Sequence, residues 1–376
     1  MARDVRVIVA GEGQESADHV RNALHSALGD GPPVAVLPAG PAPWQRTLRE
    51  AIRPERGVGG AVVVPTSGST GPPVGVVLSG QAIRWSALRL VERLGGPGGW
   101  LLALPPTHVA GLMVLARSLV SESAVAATSG QFRAASFAAA ADRLPPGRRY
   151  TALVPTQLHR LLETDPASVA GFDAVLVGGA ALVPGLRDRA LAAGVRVVES
   201  YGMTETCGGC VYDGDPLPGV QVHVDQQVSL AGPMLATSYR RTDADEPVAP
   251  QGWFTTNDAG RWVDGRLQVL GRVDEVVLSG GVSVSLPVVD ALLLQHPDLV
   301  DAAAVGLPDE EWGTRLVAVA VAREGAHPDA EAVRSFVAQR ADPATVPRDL
   351  VLVDDLARPG PGKVNRRALA RLAEGT

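Results

Sequence analysis

The sequence predicts an α/β protein that ends in a smaller α+β domain. Short apolar strand-like runs alternate with Ala/Leu-rich helical runs through the first two hundred or so residues, the texture of layered α/β folds with substantial parallel pairing. After Gly214 the chain becomes β-rich and turn-punctuated, without long helices. A second change yields a final segment of about a hundred residues with its own helices and strands, the size of a compact domain.

Each element follows from its pattern. VRVIVA (Val5 to Ala10) reads as a strand, ADHVRNALHSAL as a helix, and VAVL as the next strand. AVVV, WLLAL (Trp100 to Leu104), AVAAT, TALV, FDAVLVGG and VRVVESYG are further strands. AIRWSALRLVERL and LRDRALAAG are helices between them. The stretches VQVHVDQQVSLAGPMLATSYR and WVDGRLQVLGRVDEVVLS fit a small antiparallel sheet or barrel. The C-terminal part reads ALLLQ as helix, DAAAVGL and LVAVAVA as strands, AEAVRSFVAQRA as helix, then DLVLVDDL and a basic tail. The domain boundary is expected near GRVDEVV. The Pro/Gly-rich patches GDGPPVAVLPAGPAP and LGGPGG read as surface loops.

Composition narrows the function. Hydrophobic residues make up 46% of the 376, enough for a sizeable core, but aromatics are only 4%, so Ala, Val and Leu must build it. The net charge of −6 and scattered arginines exclude a nucleic-acid stripe. No apolar run approaches a membrane span. The start, MARDVRVIVAGEG, has too short an apolar stretch for an export signal. Two cysteines argue against a disulfide framework. The expectation is a cytoplasmic protein.

Chemistry concentrates first in TSGSTGPPVG (Thr66 to Gly75), directly after AVVV. A Gly/Ser/Thr loop after a buried strand offers backbone N–H groups and hydroxyls to one concave space, which suits phosphate oxygens. The Walker form G-x-x-x-x-G-K-[ST] is absent, so an ordinary P-loop is excluded. Alone, the loop reads equally as polar surface. It has company: Gly178-Gly179-Ala180 after AVLV, YGMTE (Tyr201 to Glu205), TTNDAG with Asp258, GRVDE with Arg272 and Asp274, and PGPGKVNRR with Lys363.

In order and spacing these motifs resemble the adenylate-forming superfamily of acyl-CoA synthetases, adenylation domains and luciferases, from about residue 60 to the end. The stretches LGGPGGWLLALPPTHVAGLMVLARSL, FDAVLVGGAAL and TCGGCVYDGDPLPGVQV narrow the resemblance to the short actinobacterial o-succinylbenzoate–CoA ligases of menaquinone synthesis. The resemblance implies a large N-terminal domain (1–271) of mixed sheets packed with helices, with a small β-barrel-like part. It implies a mobile C-terminal domain (272–376) hinged near Asp274.

It also implies the reaction. ATP adenylates a carboxylate, pyrophosphate leaves, and a thiol then displaces AMP. Thr66, Ser67, Gly68, Ser69, Thr70 and Gly71 would cradle the β- and γ-phosphates. Thr204 would donate to the α-phosphate, and Glu205 would hold Mg²⁺, a hard cation that prefers oxygen ligands. Tyr201 and Gly202 would lie at the adenine, with Gly178, Gly179 and Ala180 as its wall. Asp258 and Arg272 would bind the ribose hydroxyls. Lys363 would bridge substrate carboxylate and α-phosphate. His108, Met203 and Gly208 would line the acyl pocket. Expected partners are a small carboxylic acid, ATP and coenzyme A. Family members are often dimers, which allows a homodimer.

Competing readings exist for several residues. His108 could be a core histidine bonded to a carbonyl, Asp258 a turn former, Tyr201 plain packing, and Lys363 part of a solvated tail. Cys207-Gly-Gly-Cys210 lacks a second ligand pair for zinc. VIVAGEGQES lacks the third glycine of a dinucleotide fingerprint and reads as a strand-to-helix turn. Glu310-Glu311 and Asp354-Asp355 read as solvated loop charges. Two departures stand out. Val74 occupies the place where the family loop usually has lysine, and Val282-Ser283 replaces the commoner Glu-Asn. They leave open another acid, a carrier-protein thiol as acceptor, or a degenerate nucleotide-binding protein with a regulatory role.

Overall fold

A computed structural model describes residues 3–66, 73–182, 185–242, 244–310, 312–341, 343–356 and 365–374. Two compact units emerge. One comprises Met1–His223, Ser229–Thr255 and Asp264–Leu267; the other comprises Val224–Val228, Thr256–Val263 and Gln268–Thr376.

The larger unit is built on two sheets. In the first, the order is Arg6–Ala10, Val34–Pro38, Val62–Thr66, Val74–Leu78, Ser238–Arg240, Glu246–Pro247. Its first three strands run parallel; the rest pair antiparallel. In the second, the order is Asp215–Pro216, Gly208–Tyr212, Val197–Met203, Ala174–Gly178, Arg149–Leu153, Gly99–Leu102, Val125–Ala127. The five strands from Val197–Met203 onward are parallel. Both sheets bury both faces, as the continuous apolar runs require.

Alternation assigns each side chain to a layer. Val62, Val64, Val76 and Leu78 face the same core as Trp100, Leu102, Tyr150 and Leu176 of the second sheet. Helices Gly13–Leu28, Gly80–Arg93 and Val109–Val120 fill that shared layer. Val63 and Val77 point the other way, onto Leu48 and Ile52 of helix Ala42–Ile52. Leu101, Leu153, Val175 and Val177 pack outward onto Phe137, Leu158, Leu161 and Leu186. This is the expected arrangement of sheets between helices.

A third sheet has the order Gln221–Asp225, Gln227–Ala231, Phe254–Val263, Arg266–Arg272. The sequence reading put LATSYR with this β-rich region. Strand Ser238–Arg240 instead joins the first sheet, beside Val74–Leu78. The physical reason is Arg240, a residue only 2% exposed. Its guanidinium donates to the carbonyls of Ile52 (3.1 Å), Arg53 (2.7 Å), Gly57 (3.4 Å) and Arg56, and lies 3.5 Å from Asp245.

In the smaller unit, strands Leu299–Asp309, Gly313–Ala322 and Asp349–Leu352 form a three-stranded sheet. Ala302, Ala304, Leu316, Ala318 and Ala320 face helices Leu286–Leu293 and Ala330–Ala338. Their neighbours Ala303, Val305, Leu307, Val317 and Val319 face Leu356 and the final helix, Arg366–Glu374. A separate hairpin pairs Val276–Ser279 with Val282–Ser285.

Arg240 yields a stability prediction. Replacing it with alanine strands several buried carbonyls, a change worth about 3–5 kcal/mol for a buried hydrogen-bonded charge. Arg240→Ala is expected to lower the thermal midpoint by roughly ten degrees, read by circular dichroism. A midpoint equal to wild type would contradict this account of how the strand joins the sheet.

Candidate active site

The Gly/Ser/Thr loop connects two antiparallel strands. Thr66 ends one, Val74 begins the next, and the two residues are direct partners. The Thr66 hydroxyl donates to the Val74 carbonyl at 3.1 Å. Ser67, Gly68, Ser69, Thr70 and Gly71 lie outside the described residues. A Walker loop opens a helix; this one closes a hairpin. Gly75 is required at its foot, because a Cβ there would sit 2.7 Å from the Ala51 carbonyl oxygen.

The second cluster forms at the C-terminal ends of parallel strands, where α/β sheets bind ligands. Gly178 closes strand Ala174–Gly178, and Gly179 and Ala180 beyond it are exposed. Strand Val197–Met203 carries Tyr201, Gly202 and Met203, all half-buried. At Gly202 a Cβ would fall 2.0 Å from the Gly208 carbonyl oxygen, so no side chain fits.

Thr204 and Glu205 occupy the short helical turn Thr204–Thr206. The buried Thr206 hydroxyl accepts from the Met203 N–H at 2.9 Å and donates to the Gly208 carbonyl at 2.7 Å. Cys207 closes the turn at φ 53°, a left-handed conformation uncommon outside glycine. Backbone strain of this kind concentrates at functional sites.

Glu205 is held twice. Its carbonyl accepts from the Ala236 N–H at 2.7 Å, and its Oε1 accepts from the Tyr239 hydroxyl at 3.1 Å. Burial pushes the Tyr239 phenol pKa up, and the Glu205 charge raises it further. The phenol thus stays a donor. Tyr239 pairs with Val76, next to the loop strand. The structure thereby ties Glu205 to the strand that follows the Gly/Ser/Thr loop. No sequence signal had marked Tyr239, since its role arises only from strand pairing.

His108 is exposed and caps helix Val109–Val120 without a side-chain capping bond, which removes the core-histidine reading. Gly208 faces that helix: a Cβ there would lie 3.5 Å from Met113 and 4.0 Å from Val109. The helix behind His108 and the glycine turn therefore share a wall. Cys207 and Cys210 are free and buried. Burial raises both thiol pKa values, that of Cys210 to about 12. Among the described residues no His/Cys/Asp/Glu group could hold a metal by itself.

Behind the glycine turn lies a residue the sequence reading missed. Arg117, in helix Val109–Val120, is 3% exposed. Its guanidinium stands 5.4 Å from the centre of the Trp100 ring. Burial lowers its pKa, opposed by Tyr212. Among the described residues it has no carboxylate partner, and its Nε has no hydrogen bond. Tyr212 in turn donates to the Gly209 carbonyl at 2.9 Å. The available signal was one arginine in the otherwise apolar VAGLMVLARSLV.

The smaller unit holds the remaining predicted residues. Asp258 lies inside strand Phe254–Val263, half-buried, so it is not a turn former. Its N–H donates to the Thr256 hydroxyl at 3.0 Å. Arg272 ends strand Arg266–Arg272, and its Nε donates to Asp274 at 3.3 Å. The predicted ribose donor and the predicted hinge residue are thus paired. Lys363 lies outside the described residues.

The exposed strand-end Gly179 and a fixed carboxylate on an α/β scaffold suit the handling of a nucleotide. The AMP-binding enzyme model matches residues 5–251, and the AMP-binding enzyme C-terminal domain matches residues 288–363. The chain belongs to the AMP-binding enzyme family. A probable 2-succinylbenzoate–CoA ligase of Mycobacterium tuberculosis is 45% identical over 326 residues, 84% of this chain and 85% of that protein. The 2-succinylbenzoate–CoA ligase of Salmonella typhimurium is 34% identical, covering 81% of this chain and 67% of its own length. Among solved structures, o-succinylbenzoate CoA synthetase of Bacillus subtilis with its acyl-adenylate intermediate superposes with a TM-score of 0.77. That match is 22% identical and covers 98% of this chain and 88% of that one, which establishes the fold.

The Tyr239–Glu205 bond gives a prediction. Tyr239→Phe removes the donor that orients the carboxylate while keeping the ring. Half-saturation by Mg²⁺ in ATP-dependent pyrophosphate release is expected to rise about tenfold or more, the usual cost of losing such a supporting contact. An unchanged Mg²⁺ requirement would contradict the expectation that Glu205 holds the ion.

Proposed function

We propose that the protein is an o-succinylbenzoate–CoA ligase. The observation that carries this reading is the 45% identity to the mycobacterial ligase over 84% of this chain, a span too long to fall within the large unit alone. The acid's carboxylate oxygen attacks the α-phosphorus of ATP, and pyrophosphate leaves. The CoA thiol then attacks the acyl carbon and AMP departs, yielding the thioester.

The residues have distinct tasks. Thr66 and the loop after it bind the β- and γ-phosphates. Thr204 donates to the α-phosphate. Gly178, Gly179 and Ala180 form the adenine wall, with Tyr201 against the ring and Gly202 permitting the approach. Asp258 and Arg272 bind the ribose. Lys363 neutralises charge moving between carboxylate and α-phosphate. Glu205 suits Mg²⁺: it is an oxygen donor, half-buried, with Oε1 held by Tyr239 and Oε2 without a hydrogen bond among the described residues. When bound, the ion supplies positive charge to the phosphate oxygens. The functional division runs at 271/272, with Asp274 the hinge about which the C-terminal domain turns between half-reactions. The cytoplasm is the proposed setting, consistent with two unpaired cysteines.

His108, Met203 and Gly208 line the acyl pocket. A succinylbenzoate carries a second carboxylate, which needs a cation. Arg117 supports this substrate, because it is a buried guanidinium whose side chain meets Tyr212 and has no acid partner among the described residues. Arg117→Lys loses the planar fork. It is expected to raise KM for o-succinylbenzoate about tenfold and to leave KM for an aryl monoacid unchanged. Equal effects on both acids would dissociate Arg117 from the second carboxylate.

The direct test is a coupled pyrophosphate assay with o-succinylbenzoate, ATP and CoA. Turnover is expected, with Lys363→Ala losing roughly a hundredfold to a thousandfold in adenylation. No adenylate and no thioester at saturating ATP would sink the reading. Turnover only with another acid, or only with a carrier-bound thiol, would move the chain elsewhere within the family.

A further inference from the structure

The final helix, Arg366–Glu374, begins three residues after Lys363. Asn365 caps it: its side-chain oxygen accepts from the Ala368 N–H at 3.1 Å. Arg366 is then the first helical residue, where a positive charge is disfavoured by the helix dipole. It is nonetheless largely buried, at 15% side-chain exposure.

Three partners account for its place there. Nη2 and Nη1 donate to the two carboxylate oxygens of Asp290, at 2.8 and 3.2 Å. Nη1 also donates to the Ala304 carbonyl at 2.7 Å. Nε faces Glu275 at 3.8 Å, an ion pair without a hydrogen bond. Asp290 closes the ring, because its Oδ1 accepts from the Ala304 N–H at 2.6 Å. Ala304 lies on Leu299–Asp309, the edge strand of its sheet. Arg366 and Asp290 thus take up the open N–H and C=O of one edge residue, and a bidentate pair of this kind fixes direction as well as distance.

The partners come from segments far apart in sequence. Asp290 belongs to helix Leu286–Leu293, and Glu275 to the turn Val273–Glu275 that contains Asp274. We infer that Arg366 is a positioning residue for adenylation. It clamps the chain that follows Lys363 to both the small unit's sheet and the turn beside the proposed hinge. The inference rests on the proposed role of Lys363. Covalent geometry ties Lys363 to the clamp, since three residues of chain reach at most about 11 Å whatever their conformation.

The thiol step does not need Lys363 in this reaction scheme, so the clamp predicts a split between half-reactions. Pyrophosphate release and thioester formation from supplied acyl-adenylate and CoA are measured separately. Arg366→Ala is expected to slow pyrophosphate release about tenfold to a hundredfold, the scale of a small misplacement, while thioester formation keeps the wild-type rate. Arg366→Lys recovers part of the loss, because the charge survives and the fork does not. Asp290→Asn keeps an acceptor for the Ala304 N–H and weakens the pair from the other side. It is expected to give the same split, and it carries the test if Arg366→Ala does not fold. Unchanged pyrophosphate release, or equal losses in both half-reactions, would overturn the clamp. If Lys363→Ala itself left adenylation intact, the role of Lys363 would fail first, which separates that failure from a failure of the clamp.

Discussion

Strand Ser238–Arg240 is the constraint on which the described part of the site depends. One face of it drives Arg240 into a nest of backbone carbonyls, and that buried charge holds the strand against Val74–Leu78. The adjacent residue, Tyr239, then has one place to put its hydroxyl, on Glu205. A strand of three residues therefore connects the first sheet, two of whose strands flank the Gly/Ser/Thr loop, to the turn that carries Thr204 and Glu205. Without Arg240 the hydrogen bonds of so short a strand would be too few to define its position.

The second constraint is a contact only glycine permits. Gly202 and Gly208 stand backbone to backbone across strands Val197–Met203 and Gly208–Tyr212. That approach turns the chain sharply at Thr204–Thr206, and the cost appears as left-handed Cys207. The buried thiols read best in this light. They are small apolar residues beside a crowded turn, and their raised pKa values keep them protonated and inert.

Much of this was legible in sequence, and the boundary between legible and hidden is physical. Buried strands announce themselves as apolar runs, so the parallel strands from Gly99–Leu102 to Val197–Met203 were found in order. Motif residues such as Thr204, Glu205 and Asp258 stood out because the proposed chemistry needs fixed types at fixed spacing. Residues acting through tertiary pairing were hidden. Arg240 and Arg117 are ordinary arginines in a list of thirty-four lysines and arginines; burial alone distinguishes them. Tyr239 is one of four tyrosines, and only its register opposite Val76 gives it a role. Arg366 looked like part of a basic tail, whereas its side chain points inward to Asp290. The hairpin setting of the phosphate loop was hidden too, since a Gly/Ser/Thr run does not say whether a helix or a strand follows.

That hairpin bears on the absent lysine at position 74. Val74 is the direct partner of Thr66, and its pairing uses backbone groups that any side chain leaves in place. Valine suits a half-buried strand position, so the substitution strengthens the base of the loop even as it removes a charge. A charge near solvent-exposed phosphate oxygens is worth about 1 kcal/mol, since water screens it. A charge at the buried reacting centre acts in a lower dielectric and is worth several times more. Under the proposed function, Val74 is expected to weaken ATP binding, and the charge at the α-phosphate falls to Lys363.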